Sequence, residues 1–201
     1  MVRFEYKSIN GLNFIQIYNV FNAQQIERVW STYSFLKDSF LDPEHTGSAT
    51  HNDGTFKKRN KGIFLTDVHP TPLLCDEIRK VIFSGVYSVS DQFAVDSVYN
   101  SASITNWDSQ LMQYYLKNGD EYEAHCDTSL FTALMFFNQE PKNFTGGDIT
   151  FPEFNVTVPF KNNCGIIFPG KAQHKVKPVT QINSSTDVGG RLSIAMLTGI
   201  K

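Results

Sequence analysis

Cysteine is scarce. The 201 residues hold three, Cys75, Cys126 and Cys164, an odd number too widely spaced for a disulfide framework or for the paired CxxC ligands of a structural zinc site. A reducing, cytoplasmic setting is the simpler expectation. Long apolar runs are missing as well, with none near the roughly 18 residues of a membrane span. Arg3 and Lys7 are followed by Asn10, Asn13 and Gln16 instead of the apolar stretch of a signal peptide, so no membrane association is expected. Without secretion, the glycosylation-type tripeptides at Asn143, Asn155 and Asn183 are accidental. Charge of one sign is not in excess: 18 basic against 20 acidic residues leave a net charge of -2. The chain therefore has no global field for nucleic acid or an anionic surface, nor the aromatic and basic stripe of a single-strand binder. Internal repeats and low-complexity tracts are also missing.

What is present suits a globular fold. A chain 41% hydrophobic and 19% charged can bury a sizeable core, and its length favours one domain over 1–201. Residues 12–21 are rich in β-branched and aromatic side chains and read as a strand ending near Asn22. From Ala23 to about Lys37, Ile26, Val29, Trp30, Tyr33 and Leu36 recur at helical intervals behind Asn22 as N-cap. Residues 38–62 change to a polar loop carrying Lys57, Lys58, Arg59 and Lys61. A charge run of this kind is ordinarily a solvated face; the alternative is a flap over an active site whose cations meet an anionic substrate. Pro70 to about Phe83 reads as a second helix, ended by Gly85.

Beyond Gln110 the helical period disappears. Strand-like runs at Leu111–Leu116, Leu130–Phe137, Asp148–Phe151, Asn155–Val158, Gly165–Phe168, Lys175–Val179 and Arg191–Leu197 alternate with Gly, Pro and Asn turns, the spacing of a barrel or sandwich. The fold class is mainly β with flanking helices (α+β), residues 1–105 forming helical support and a lid region and 106–201 the β-barrel core. Gly146-Gly147-Asp148, with no helix after it, reads as a tight hairpin turn instead of a phosphate loop.

Candidate chemistry centres on His125-Cys126-Asp127. In an extended segment, residues two apart share a face, so an imidazole and a carboxylate stand side by side while Cys126 turns away into the barrel wall. A remote third His would complete a two-His, one-carboxylate face with open coordination positions, as in non-haem Fe(II) oxygenases. His45 and His51 lie in the polar loop and His69 at a helix start, whereas His174 stands between two strand runs.

The ordered set Tyr122-x-x-His125-x-Asp127, Thr132-x-Leu134 with Phe136-Phe137-Asn138, Gly146-Gly147-Asp148 before Phe151, Val158-Pro159, Gly165-x-Ile167-Phe168-Pro169, His174-x-Val176-x-Pro178-Val179 and Gly190-Arg191-x-Ser193 resembles the Fe(II)/2-oxoglutarate-dependent dioxygenases of the prolyl 4-hydroxylase-like branch. The resemblance covers about 110–197 and implies a double-stranded β-helix core of the jelly-roll or cupin-like kind. It implies Fe(II) held by His125, Asp127 and His174, and 2-oxoglutarate as co-substrate with O2, ascorbate serving as accessory reductant. Arg191 would pair with the distal carboxylate of 2-oxoglutarate, a task suited to a guanidinium fork, with Lys175 or Lys177 as alternatives. Thr132 and Ser193 would line the pocket, and Tyr115, or else Tyr114, would contact the co-substrate. Asp127 points to hydroxylation, since halogenating relatives lack that carboxylate. The substrate implied is a peptide or protein, with a free amino acid or other small molecule as the alternative; a non-catalytic cupin-like barrel binding metal or sugar is the competing class.

Overall fold

The computed structural model describes residues 1–68, 72–116, 118–182 and 189–200. His69, Pro70 and Asn183 lie outside them. The strands in chain order are β1 (Arg3–Ile9), β2 (Leu12–Tyr18), β3 (Lys61–Phe64), β4 (Trp107–Tyr115), β5 (Tyr122–His125), β6 (Phe131–Phe137), β7 (Phe144–Gly146), β8 (Ile149–Phe151), β9 (Val156–Val158), β10 (Cys164–Pro169), β11 (His174–Val176), β12 (Val179–Gln181) and β13 (Arg191–Gly199); the helices are α1 (Ala23–Leu36) and α2 (Pro72–Ser88). A large antiparallel sheet runs β1-β2-β10-β6-β13-β4-β3, a smaller one β5-β11-β8-β9, and β12 pairs with β7. This is the double-stranded β-helix expected. No helix among the described residues is long and apolar enough to cross a membrane.

Period-two alternation divides the large sheet between two cores. Ile15, Ile17, Met112, Met135, Phe137, Leu192, Ile194 and Met196 meet Val29, Ile78 and Ile82 of the helices. Their neighbours in sequence, among them Phe14, Leu111, Leu134, Phe136 and Ala195, face Ile149, Phe151, Val158 and Val176 of the small sheet. One face of the large sheet thus carries the helices, and the other closes the barrel. Helix α1 begins as expected: Asn22 accepts from the Gln25 backbone N–H at 3.0 Å while the Gln25 side chain accepts from Asn22 N at 3.0 Å, a reciprocal cap that satisfies two otherwise orphaned donors.

Three expectations are corrected, and one strand is added. Strand β1 was not anticipated, although Val2, Phe4 and Tyr6, which pack against the helix-side core, alternate with Arg3, Glu5 and Lys7; its registry with β2, from Arg3 opposite Tyr18 to Ile9 opposite Leu12, supplies the pairing. Gly85 does not end α2, which runs to Ser88. A Cβ there would stand 2.7 Å from the Phe4 ring, so this glycine lets β1 approach the helix. Gly146-Gly147 is not a hairpin turn, since β7 pairs with β12 while β8 pairs with β9 and β11; the two glycines, at φ +76°, carry the chain from one sheet to the next. Finally, part of 38–62 is not a free loop. Arg59 N donates to Glu121 O and Glu123 N to Lys57 O, both at 3.0 Å, so this segment extends the small sheet beyond β5.

Candidate active site

Strand pairing brings the three candidate ligands together. His174 on β11 lies directly opposite His125 on β5, and the Asp127 backbone N–H is tied to Gly170 O at 2.8 Å. The ligand atoms of His125, Asp127 and His174 all fall within 4.8 Å of one another. His125 Nε2 is 3.6 Å from Asp127 Oδ1, and His174 Nε2 is 3.6 Å from Asp127 Oδ2. Each imidazole turns its Nδ1 to the backbone, 2.8 Å from Glu123 O and 3.0 Å from Ala172 O. Those carbonyls hold a proton on Nδ1 and leave both Nε2 lone pairs facing the shared centre. Burial, and then His174 alongside, push the His125 pKa down. The neutral imidazole that results is the form a metal requires, so the approach of His125 to Asp127 is not an ion pair.

Around the triad stand orienting contacts. The Thr132 hydroxyl donates to Asp127 Oδ2 at 2.6 Å and lies 2.7 Å from Ser129 Oγ, which fixes the carboxylate. The Tyr122 ring stacks on His125 with centroids 3.5 Å apart. His45 and His51 are paired elsewhere, with Glu44 and Glu123. Cys126 is exposed, contrary to the expected place in the barrel wall. It faces away from the ligands, on the outer side of the small sheet, whose core cluster includes no residue of α1 or α2.

A cavity of about 270 Å³ opens beside the triad, and Tyr115, Thr132, Arg191 and Ser193 line it. Strand alternation explains this set: Arg191 and Ser193 on β13, Gln113 and Tyr115 on β4, and Thr132 and Leu134 on β6 all take the barrel face. Tyr114, one residue out of phase, takes the helix face, where its hydroxyl accepts from Gly190 N at 2.9 Å. Lys177 lies 3.6 Å from Asp148, and neither it nor Lys175 lines the cavity.

Arg191 is 1% exposed, its guanidinium 4.7 Å from the Tyr115 ring centroid and 5.2 Å from that of Phe136. Nε donates to Gly147 O at 2.9 Å. Both terminal nitrogens are buried with no hydrogen-bond partner among the described residues. Burial pulls the Arg191 pKa down, yet a guanidinium keeps its charge. Two parallel donors are thus left without an acceptor beside a buried two-His, one-carboxylate cluster, an arrangement that fits a dicarboxylate reaching from metal to arginine.

Residues 109–197 match the family described as the 2OG-Fe(II) oxygenase superfamily. This stretch is a 2OG-Fe(II) oxygenase domain. A domain of this superfamily is a dioxygenase that works with Fe(II), 2-oxoglutarate and O2, and both the triad and the orphaned guanidinium suit those groups. No curated protein matches the sequence. Among solved structures, the oxygenase resembles a Pseudomonas putida prolyl-4-hydroxylase at 13% identity and TM-score 0.62, over 94% of this chain and 92% of that one. It also resembles the viral collagen prolyl hydroxylase of Paramecium bursaria Chlorella virus-1, as its 2-oxoglutarate complex, at 13% and 0.56, over 93% and 96%. OsALKBH1 follows at 11% and 0.61, over 96% and 100%. At such identities the likeness is one of fold.

Several cavity-lining residues of the oxygenase carried no functional signal in the sequence. Gln113 read only as a strand position and Trp107 only as part of the barrel half, while Phe64 fell in no assigned element. Lys58 could be found as a member of a basic run, but not as the one cation of that run in the cavity wall: Lys57 donates to Ala124 O at 3.0 Å, Arg59 pairs with Glu121 and Lys61 with Asp42.

Proposed function

We propose that this oxygenase is a hydroxylase with prolyl 4-hydroxylase-like chemistry, and that residues 1–201 act as one domain. His125, Asp127 and His174 hold the iron through their inward Nε2 and carboxylate atoms, and Arg191 receives the distal carboxylate of 2-oxoglutarate. The observation that carries this reading is the buried, unpartnered pair of Arg191 terminal nitrogens in the cavity that the triad borders. An unsatisfied charged donor is costly to bury, and a carboxylate removes that cost through two charge-assisted bonds.

When bound, Fe(II) with 2-oxoglutarate supplies the oxidative chemistry, consuming O2 and releasing succinate and CO2 as a hydroxyl is transferred. The protein orients and excludes. Thr132 fixes the Asp127 carboxylate, Glu123 and Ala172 carbonyls fix the imidazoles, and Tyr115 and Ser193 shape the wall that receives the co-substrate. Trp107, Phe64 and Leu197 add apolar lining to the cavity and keep it poor in water.

Two assays test this. Anaerobic addition of Fe(II) and 2-oxoglutarate should produce a weak visible charge-transfer band, and succinate release under O2, with ascorbate as reductant, should be lost in His125→Ala and Asp127→Ala. Turnover retained in both variants would refute the ligand assignment. Proline-rich peptides and free amino acids are the first substrates to screen, by the mass gain of one oxygen atom.

A further inference from the structure

Lys58 is 2% exposed and contributes to the cavity wall. Among the described residues its Nζ donates one bond, to Thr46 O at 2.7 Å, and it sits 5.7 Å from the Tyr122 ring centroid. No ion pair to it exists among the described residues, and burial alone lowers its pKa to about 7. An ammonium has three donors, so two remain unused on a group that buried sites rarely keep without a counter-charge. Its setting is built. Lys58 forms a β-bridge to Tyr122, and Tyr122 in turn accepts from Ala49 N at 2.9 Å and stacks on His125. Arg191 has other partners, Gly147, Tyr115, Phe136 and Phe160, none shared with Lys58. The cavity therefore has two separate cationic points, and one dicarboxylate accounts for the first.

We propose that Lys58 is a specificity residue that binds a carboxylate on the molecule being oxidised, so that the substrate is an acid whose reacting carbon is held over the metal centre by this contact. The inference rests on the oxygenase reading above. A neutral peptidyl proline would leave the Lys58 charge unanswered, whereas the α-carboxylate of a free amino acid or an acidic side chain answers it. The aromatic walls Phe64 and Trp107 take the apolar body of such an acid.

The test uses the full chain loaded with Fe(II) and 2-oxoglutarate under nitrogen, the charge-transfer band reporting loading of each protein. Thermal-shift titrations compare the free L-amino acids with their C-terminal amides, and capped peptides containing Asp or Glu with the matching Asn or Gln peptides. At least one acid should bind about 10- to 100-fold more tightly than its amide, the yield of one charge-assisted contact. Which series responds identifies the source of the carboxylate. Lys58→Met and Lys58→Gln should both abolish the preference, Gln retaining a donor to Thr46 without the charge. Loaded wild-type protein that never prefers an acid, or a preference that survives in both variants, overturns the proposal. So does loss of the band in the Lys58 variants alone, since Lys58 would then hold 2-oxoglutarate. A band missing in wild type instead refutes the oxygenase site itself.

Discussion

Replacing Lys58 by Met should stabilise the metal-free protein, and the gain should vanish at high pH. Lysine ionises near 10.5 in the unfolded chain and near 7 in the fold, a drop of about 3.5 units at about 1.4 kcal/mol each. The sign follows from proton counting: between these values the unfolded chain binds the additional proton, so the contribution of Lys58 to stability is present above pH 10.5 and is lost as pH falls towards 7. At pH 7 the deficit is about 4 kcal/mol, and at pH 10 about 1 kcal/mol. Met fills a similar volume and carries no charge, at the cost of the bond to Thr46 O, about 1 kcal/mol. The variant should therefore exceed wild type by about 3 kcal/mol at pH 7 and match it near pH 10. Groups common to both proteins cancel in the difference. Equilibrium urea unfolding at the two pH values measures it. A variant less stable than wild type at pH 7, or a difference that does not change with pH, would show that Lys58 is not a desolvated, unpaired ammonium.

The remaining predictions concern the co-substrate and metal walls. Arg191→Gln removes the two parallel donors and should weaken 2-oxoglutarate binding about 100-fold, read from titration of the charge-transfer band; an unchanged midpoint would refute the carboxylate clamp. Thr132→Val keeps shape but frees Asp127 Oδ2, so Fe(II) affinity should fall about 10- to 100-fold, by competition with a chelating dye. Gly147→Ala would place a Cβ 2.6 Å from Arg191 Cδ at a positive φ. Both melting temperature and 2-oxoglutarate affinity should drop, and affinity equal to wild type would show that the glycine does not set the arginine. Tyr114→Phe should cost about 1 kcal/mol of stability through the lost Gly190 bond with 2-oxoglutarate affinity kept, while Tyr115→Phe should change that affinity.

Local pattern was enough for a good part of this site. His125 and Asp127 were legible as a pair because side-chain direction in an extended segment follows from spacing alone, and Asn22 announced the start of α1 through its own capping chemistry. The alternation in 191–197 placed Arg191 on one face and Leu192, Ile194 and Met196 on the other before any strand had a partner. Where two chain segments had to meet, local pattern ran out. Gly85 looks like a helix terminator until Phe4 is laid against it, and Gly146-Gly147 looks like a hairpin until β7 and β8 take different partners. Cys126 looks like wall until it proves exposed on the outer side of its sheet.

Lys58 marks the division most clearly. In the sequence it is one of four cations in a polar loop, chemically indistinguishable from Lys57 or Lys61. The barrel separates them, because 57–59 lie along the edge of β5 and only one of these side chains turns inward. Residue type and period therefore determined the chemistry available and the face each strand residue takes. Enclosure decided the rest: burial and the absence of a counter-charge are properties of surroundings assembled from distant segments, and they are what makes Arg191 and Lys58 two unanswered charges in one cavity.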